Sequence, residues 1–348
     1  MKTSFVSNLA VQNAMRMTIQ QGQLEVLKLQ QEVTTGKYAD SGVELGSSTS
    51  RAVSLKNELE RLENLKDTNA VVTQRLSASQ MSLETMRSAA EQINTTLIAT
   101  LGNDDATRLS IAKTDINGAL SSFSAAANVQ FNGEFLMSGI NTDIKPLTEY
   151  TDTSPAKASF DTALSTYMST NGIATMRDFT SAQMTDFIEN TLEPMYTGAQ
   201  WDTDWSDASS QNVMSRISAN EVVASTANVN TDGVRKFALA AVITVELLGA
   251  DVASDVRSSI NSAAQNYVQQ SITGLIETSS TLGISEARLK KANTSLESQL
   301  KLVNTHITDI EGIDTYEAST RMNTLLTQIE TSYTLTSRLQ QLSLINFL

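Results

Sequence analysis

The stretch AVSLKNELERLENLKDTNAVVTQRLSASQMSLETMRSAAEQINTTL, residues 52–97, decides the fold of this chain. Its apolar side chains recur at steps of three and four residues from Ala52 to Leu97, which keeps them on one side of a helix. One irregular step falls between Leu62 and Leu65. The pattern predicts an unbroken helix about 70 Å long, because a helix rises about 1.5 Å per residue.

Similar stripes of residues at steps of three and four, which we call seams, occur near both ends of the chain. The N-terminal seam ends at Gly36 and consists of Gln12, Met15, Ile19, Gly22, Val26, Leu29 and Val33. The C-terminal third carries Leu275, Leu282, Leu289 and Leu296, followed by Leu300, Val303, Ile307 and Ile310. Helices with such seams need partners of the same kind. We therefore predict a mainly α fold in which long antiparallel helices from the N- and C-terminal regions form coiled-coil or bundle domains.

The middle of the chain has a different character. All three prolines lie there or at its border (Pro146, Pro155 and Pro194), and turn residues cluster between them. Residues 180–192 are expected to form one short helix, and residues 214–217 and 221–229 a short hairpin. We predict a small inserted α+β domain, acidic and exposed, over residues 141–235. Residues 46–140 with 236–314 would form a helical bundle, and residues 1–45 with 315–348 a pair of terminal assembly helices.

Composition excludes several classes of function. The net charge is -13, and residues 101–220 carry 15 acidic but only 6 basic groups, which argues against binding nucleic acid or an anionic membrane. The chain has no cysteine, so thiolate metal sites, disulfides and cysteine nucleophiles are excluded. No apolar stretch resembles a cleaved signal peptide, and the longest run, residues 237–245, is too short to span a membrane.

Enzymatic motifs are equally scarce. The single histidine, His306, has no second histidine with which to form a metal site, and no two glycines stand two residues apart as a phosphate-binding turn requires. We therefore predict a protein that is not an enzyme, with no catalytic residue, metal site or cofactor. A ligand-binding or enzymatic domain over residues 141–235, carried on a helical scaffold, is the least favoured alternative.

The two ends of the chain are apolar and almost uncharged. Residues 1–24 contain only Lys2 and Arg16 as charged side chains, and the last residues are LSLINFL. Short helices of this kind do not persist alone because they lack packing to offset the cost of nucleation. We expect both ends to be disordered in a monomer and ordered in an assembly.

Three stretches carry a resemblance to a known family. These are residues 24–37 (LEVLKLQQEVTTGK), residues 128–139 (NVQFNGEFLMSG) and the C-terminal helix, residues 316–348. They resemble the bacterial flagellin superfamily and, within it, the type 3 hook-associated proteins of the hook-filament junction. The motif residues are Gly36, Lys37, Phe131, Asn132, Gly133 and Gly139. The chain departs from the family at residues 38–46 (YADSGVELG), where an Asp-Asp-Pro turn is usual.

The resemblance implies an extracellular flagellar protein, exported through the flagellar type III apparatus without a cleaved signal. It implies an adaptor ring of identical subunits that joins hook to filament and seeds flagellin polymerisation. The implied partners are other copies of the chain, a neighbouring hook-associated protein, flagellin and an export chaperone; a flagellin-type filament subunit is the alternative. Subunit assembly would then involve Phe5, Leu9, Ile19, Leu335, Leu339, Leu342, Ile345, Phe347 and Leu348.

Overall fold

The computed structural model describes residues 8–102 and 105–345, without the side chains of residues 8, 9, 12 and 339–345. The first half contains α1 (Asn8–Thr35), α2 (Ser41–Glu44), α3 (Thr49–Ala99), α4 (Ala106–Ala127), β1 (Gln130–Phe131), β2 (Glu134–Phe135) and α5 (Pro155–Thr170). Then come α6 (Ser181–Asp186), α7 (Glu193–Thr197), α8 (Trp201–Asp204), β3 (Met214–Ser218), β4 (Glu221–Ala224), α9 (Asp232–Val242), α10 (Ser254–Glu311) and α11 (Thr315–Ile345). The mainly α fold class is confirmed.

Helix ends follow local chemistry. Gly36 lies directly after α1 with φ +69, a conformation that glycine adopts without steric cost, and its N–H donates to the Glu32 carbonyl at 2.8 Å. Asp105 begins α4 by accepting a hydrogen bond from the Arg108 N–H at 2.9 Å. The long helix predicted from the seam over residues 52–97 is confirmed as α3.

The described chain divides into two compact units. Unit 1 contains residues up to 64 and from 296 onward, and unit 2 contains residues 65–295. Each of α3 and α10 contributes residues to both units. The three-part division expected from the sequence stays a prediction.

Unit 2 holds one large apolar core. Phe123 of α4 and Phe237 of α9 stack with ring centroids 3.5 Å apart and planes 5° from parallel. Trp201 and Trp205 belong to the same core, although both lie in the acidic middle segment. Large side chains of residues 141–235 therefore pack into the core that the long helices form.

The middle segment differs in detail from the sequence prediction. The helix expected over residues 180–192 consists of α6 followed by a π-helical stretch, Phe187–Leu192, and the chain then continues helically as α7. Pro194 is tolerated there because it lies in the first turn of α7. The predicted hairpin is confirmed as β3 and β4, although β4 ends at Ala224 rather than near residue 229.

Candidate assembly surface

In unit 1, α1 and α11 pack against each other along the seam predicted in α1. Ile19 and Leu29 are buried, and the other described seam residues are at least partly covered. The facing stripe of α11 has the same spacing of three and four residues and consists of Ala318, Met322, Leu325, Ile329, Ser332 and Thr336. The two helices thus form a pair within one chain.

The contact between α1 and α11 is close and partly polar. A Cβ atom at Gly22 would lie 3.1 Å from Cγ1 of Ile329, so a larger residue here would require the Ile329 side chain to shift by a few tenths of an ångström. At the next residue, Nε2 of Gln23 donates to the Tyr333 hydroxyl at 2.9 Å. Among the described side chains of this pair, the only buried apolar ones are Ile19, Leu29 and Ala318, so packing within the described part of the pair is thin.

A second apolar face of α1 has no partner within the described chain. Met17, Leu24 and Leu27 are exposed to 61%, 67% and 62%. Their spacing of seven and three residues puts them on one side of the helix, turned away from the seam. We call these three residues the outward face of α1. The sequence analysis did not predict this face, although the positions of Leu24 and Leu27 off the seam indicate it.

The structure separates the residues predicted for assembly. Ile19 is buried in the pair of α1 and α11, and Leu335 is about half exposed on α11. The backbones of Leu9, Leu339, Leu342 and Ile345 lie in α1 and α11, but their side chains are outside the described part. Phe5, Phe347 and Leu348 lie wholly outside the described residues. Their role in assembly stays a prediction.

The motif residues Gly36 and Lys37 join the end of α1 to the end of α10. The Ile313 N–H donates to the Gly36 carbonyl at 3.1 Å, and Lys37 forms a β-bridge with Gly312. On the other side of this join, the Tyr38 N–H donates to the Glu311 carbonyl at 3.0 Å. These backbone bonds fix where the chain leaves α10 and enters α11.

A carboxylate lies at the centre of this join. The Glu311 side chain is only 4% exposed and forms ion pairs with Nζ of Lys56 at 2.5 Å and Nζ of Lys37 at 3.5 Å. Burial alone would raise the pKa of Glu311, but the hydrogen bond and charge of Lys56, with the charge of Lys37, outweigh burial and lower it. Glu311 therefore stays ionised and holds three segments of unit 1 together.

The segment that departs from the family pattern forms its own short helix, α2. Asp40 begins α2 by accepting from the Val43 N–H at 3.1 Å. An ion pair of 2.8 Å between Lys28 and Glu44 then ties α2 to α1. Val43 remains largely exposed beside this ion pair.

The second motif lies in unit 2 as a tight hairpin. Phe131 ends β1, and Asn132 and Gly133, with φ of 52° and 83°, form the two-residue turn into β2. At Gly139, with φ +63, a Cβ atom would lie 2.2 Å from the Ser209 carbonyl oxygen. Backbone geometry thus requires this motif. Asn132 and Gly133 form the turn, and Gly139 permits the close approach of two segments.

The described residues offer neither a candidate metal site nor a candidate membrane span. Within residues 8–102 and 105–345, no group of histidine, aspartate and glutamate side chains is arranged to hold a metal ion. None of the described helices has the length and apolar character that a membrane span requires.

Comparisons with known proteins agree with the architecture. Residues 6–142 match the model of the bacterial flagellin N-terminal helical region, and residues 265–348 match that of the bacterial flagellin C-terminal helical region. A comparison with curated proteins finds no match. A solved structure described as a candidate flagellar hook-associated protein from Vibrio parahaemolyticus shares the fold, with a TM-score of 0.53 and 10% identity. That likeness covers 76% of this chain and 97% of the other. The chain belongs to the bacterial flagellin superfamily, a family of structural subunits of the bacterial flagellum.

Proposed function

We propose that this protein is the adaptor that joins the flagellar hook to the filament, forming a ring of identical subunits that seeds flagellin polymerisation. The observation that carries assembly is the outward face of α1, which exposes Met17, Leu24 and Leu27 while the opposite side of the helix packs on α11. Fully burying one such side chain is worth about 1.5–3 kcal/mol. A neighbouring subunit that covers this face would supply the packing that the helix pair lacks.

The adaptor role, as distinct from filament formation, rests on two features. The sequence ends in LSLINFL, which resembles the type 3 hook-associated proteins, and the fold is shared with the candidate hook-associated protein of Vibrio parahaemolyticus. The neighbours in this proposal are another hook-associated protein on one side and flagellin on the other. Export without a cleaved signal, and a chaperone that covers the C-terminal helix before export, belong to the same proposal.

A deletion strain tests the adaptor role directly. Negative-stain electron microscopy of bacteria lacking this protein should show bare hooks, and immunoblots should detect flagellin lost to the medium. Re-expression of the wild-type chain is the control and should restore filaments. Normal filaments on the hooks of the deletion strain would contradict the adaptor role.

The alternative is a filament subunit, favoured by the match of both helical regions to flagellin models. Purified protein distinguishes the two functions, because a filament subunit extends into long filaments alone whereas an adaptor does not. Long filaments of purified protein would replace the adaptor proposal with this one.

Limited proteolysis tests whether assembly orders the ends of the chain. We expect a protease to cut the isolated subunit first within α1 and α11, and to leave unit 2 intact, because thinly packed terminal helices open most easily. Termini that resist the protease in the isolated subunit would count against assembly-dependent ordering.

A further inference from the structure

The hairpin of β3 and β4 is attached to unit 2 by few contacts. Only Ile217 and Val223 among its strand residues are buried. An irregular, partly exposed segment precedes it over residues 207–213. The residues that follow it, 225–229, are buried and fixed in unit 2, for example by the Val229 N–H, which donates to the Met137 carbonyl at 3.0 Å. Two-stranded hairpins are marginally stable without packing, so the hairpin depends on the contacts that hold it to the helices.

A β-bulge turns one backbone group of the hairpin toward α3. Arg216 pairs with Val222 and Ser218 with Glu221, so Ile217 is the extra residue of the bulge. The carbonyl of Ile217 accepts a hydrogen bond from Nδ2 of Asn69 at 3.0 Å. The bulge therefore frees the carbonyl that α3 binds.

Asn69 joins three elements through one carboxamide. It occupies a fully buried position in the apolar seam of α3, and its Nδ2 also donates to Oδ1 of Asn293 in α10 at 2.7 Å. Because a carbonyl can only accept, the amide nitrogen of Asn69 must face Ile217. Oδ1 of Asn69 is then buried without a hydrogen-bond partner among the described residues, which disfavours the closed arrangement.

A second contact lies at the solvent side of the hairpin. Nε of Arg288 in α10 is 2.7 Å from Oε1 of Glu221 in β4. Arg288 is about half exposed, so this ion pair is weaker than the buried bonds of Asn69. The hairpin is thus held at one strand by a buried amide and at the other by a surface ion pair.

We propose that the β3–β4 hairpin is a strap that opens and closes over α3 and α10 as a unit, with Asn69 as its latch. The small buried area of the two strands, the exposed segment before them and the unsatisfied acceptor in the closed state favour local opening, with the buried residues 225–229 as the fixed end of the strap. The latch also makes closure of the strap depend on the relative position of α3 and α10. Asn69 of α3 donates both to Ile217 of the hairpin and to Asn293 of α10.

Hydrogen-deuterium exchange of the full chain, read by mass spectrometry, tests the latch. Asn69→Leu keeps the seam apolar but removes both hydrogen bonds, so peptides within residues 214–224 should exchange about tenfold faster while α3 and α10 exchange as in the wild type. Gln80→Leu is the matched control. Gln80 donates to the Ser279 carbonyl of α10 at 2.8 Å and accepts from the Ser279 hydroxyl at 2.7 Å, so neither hydrogen bond involves the hairpin. Its hairpin peptides should keep the wild-type rate.

Two results would overturn the latch. One is a hairpin that exchanges at the wild-type rate in Asn69→Leu, and the other is an equal increase throughout unit 2. If Asn69→Leu does not fold, Arg288→Gln carries the test, because it changes only the surface ion pair. It should accelerate exchange by a few fold, confined to the same peptides. No acceleration in that variant would contradict a strap that opens as a unit.

Discussion

The two units of this chain are stabilised in different ways. Unit 2 buries a continuous apolar core that includes both tryptophans and a stacked pair of phenylalanines. The described part of unit 1 buries far fewer large side chains and contains a helix pair and the ion pairs of Glu311. Unit 2 therefore has the packing of an independent domain, whereas the described part of unit 1 has little packing of its own, which contacts with another subunit would add to in the proposed assembly.

The largest expected effect on stability is in the core of unit 2. Phe237→Ala should lower the free energy of unfolding by about 3–5 kcal/mol, because it leaves a cavity beside Phe123. Urea unfolding followed by circular dichroism measures the loss. Tyr316→Ala is the control in unit 1: Tyr316 is 82% exposed, so its removal should change stability by less than about 0.5 kcal/mol. Equal losses in the two variants would contradict the burial of Phe237 in the core of unit 2.

A smaller loss is expected where two backbone segments of unit 2 meet. Gly139→Ala should cost about 2–4 kcal/mol, because the new Cβ would be strained at positive φ and would also collide with the carbonyls of Ser209 and Gln211. Gly133→Ala isolates the strain, since no atom lies within 4 Å of its added Cβ, and should cost about 1 kcal/mol. Thermal unfolding of both variants measures the difference. Similar losses would show that the close approach at Gly139 contributes nothing.

In unit 1 the next loss of stability is expected at Glu311, where the effect is electrostatic and depends on pH. The lowered pKa of Glu311 means that its contribution is present above the pKa of an unfolded glutamate, about 4.3, and is lost as the pH falls through the folded value. Glu311→Gln should reduce stability by about 1–2 kcal/mol at pH 7, since both lysines are half exposed. Exchange of amides in residues 300–311 at pH 7, 4 and 3 measures the effect. A difference from the wild type that does not shrink between pH 7 and pH 3 would contradict this role.

The smallest effect on stability is expected at the outward face of α1. Leu24→Gln removes an exposed side chain with no partner in the described chain and should change the unfolding free energy by less than about 0.5 kcal/mol. Urea unfolding of the isolated subunit measures it. A loss above about 1 kcal/mol would mean that Leu24 is covered within the subunit and is not available to another chain.

Periodicity predicted the long helices because their packing is repetitive. The seam in α3 predicted both the length of this helix and which of its sides is buried. Gly36 marked the end of α1 because glycine adopts a positive φ freely. The same seam placed Asn69 on the buried side of α3, but no local pattern shows that its partners are Asn293 and Ile217. Those contacts connect residues far apart in sequence, which spacing alone does not encode.

The middle segment and the assembly surface were harder to predict. The acidic segment that contains Trp201 and Trp205 is expected from the sequence to be exposed, yet both tryptophans are buried in the core of unit 2. At the surface, the prediction followed the strongest seam of α1 and so included Ile19, which the structure buries against α11. Leu24 and Leu27 lie off that seam, and only the structure shows that they remain uncovered.

Complementation of the deletion strain tests whether the protein assembles through the outward face of α1. One variant changes Met17, Leu24 and Leu27 to glutamine, and a matched variant changes three exposed apolar residues of unit 2, Met81, Ile276 and Ile284, to glutamine. Electron microscopy counts filaments per cell, and immunoblots of the medium confirm that both variants are exported. The unit 1 variant should be exported but leave hooks bare, whereas the unit 2 variant should restore filaments. Normal filaments with the unit 1 variant would contradict assembly through the outward face of α1.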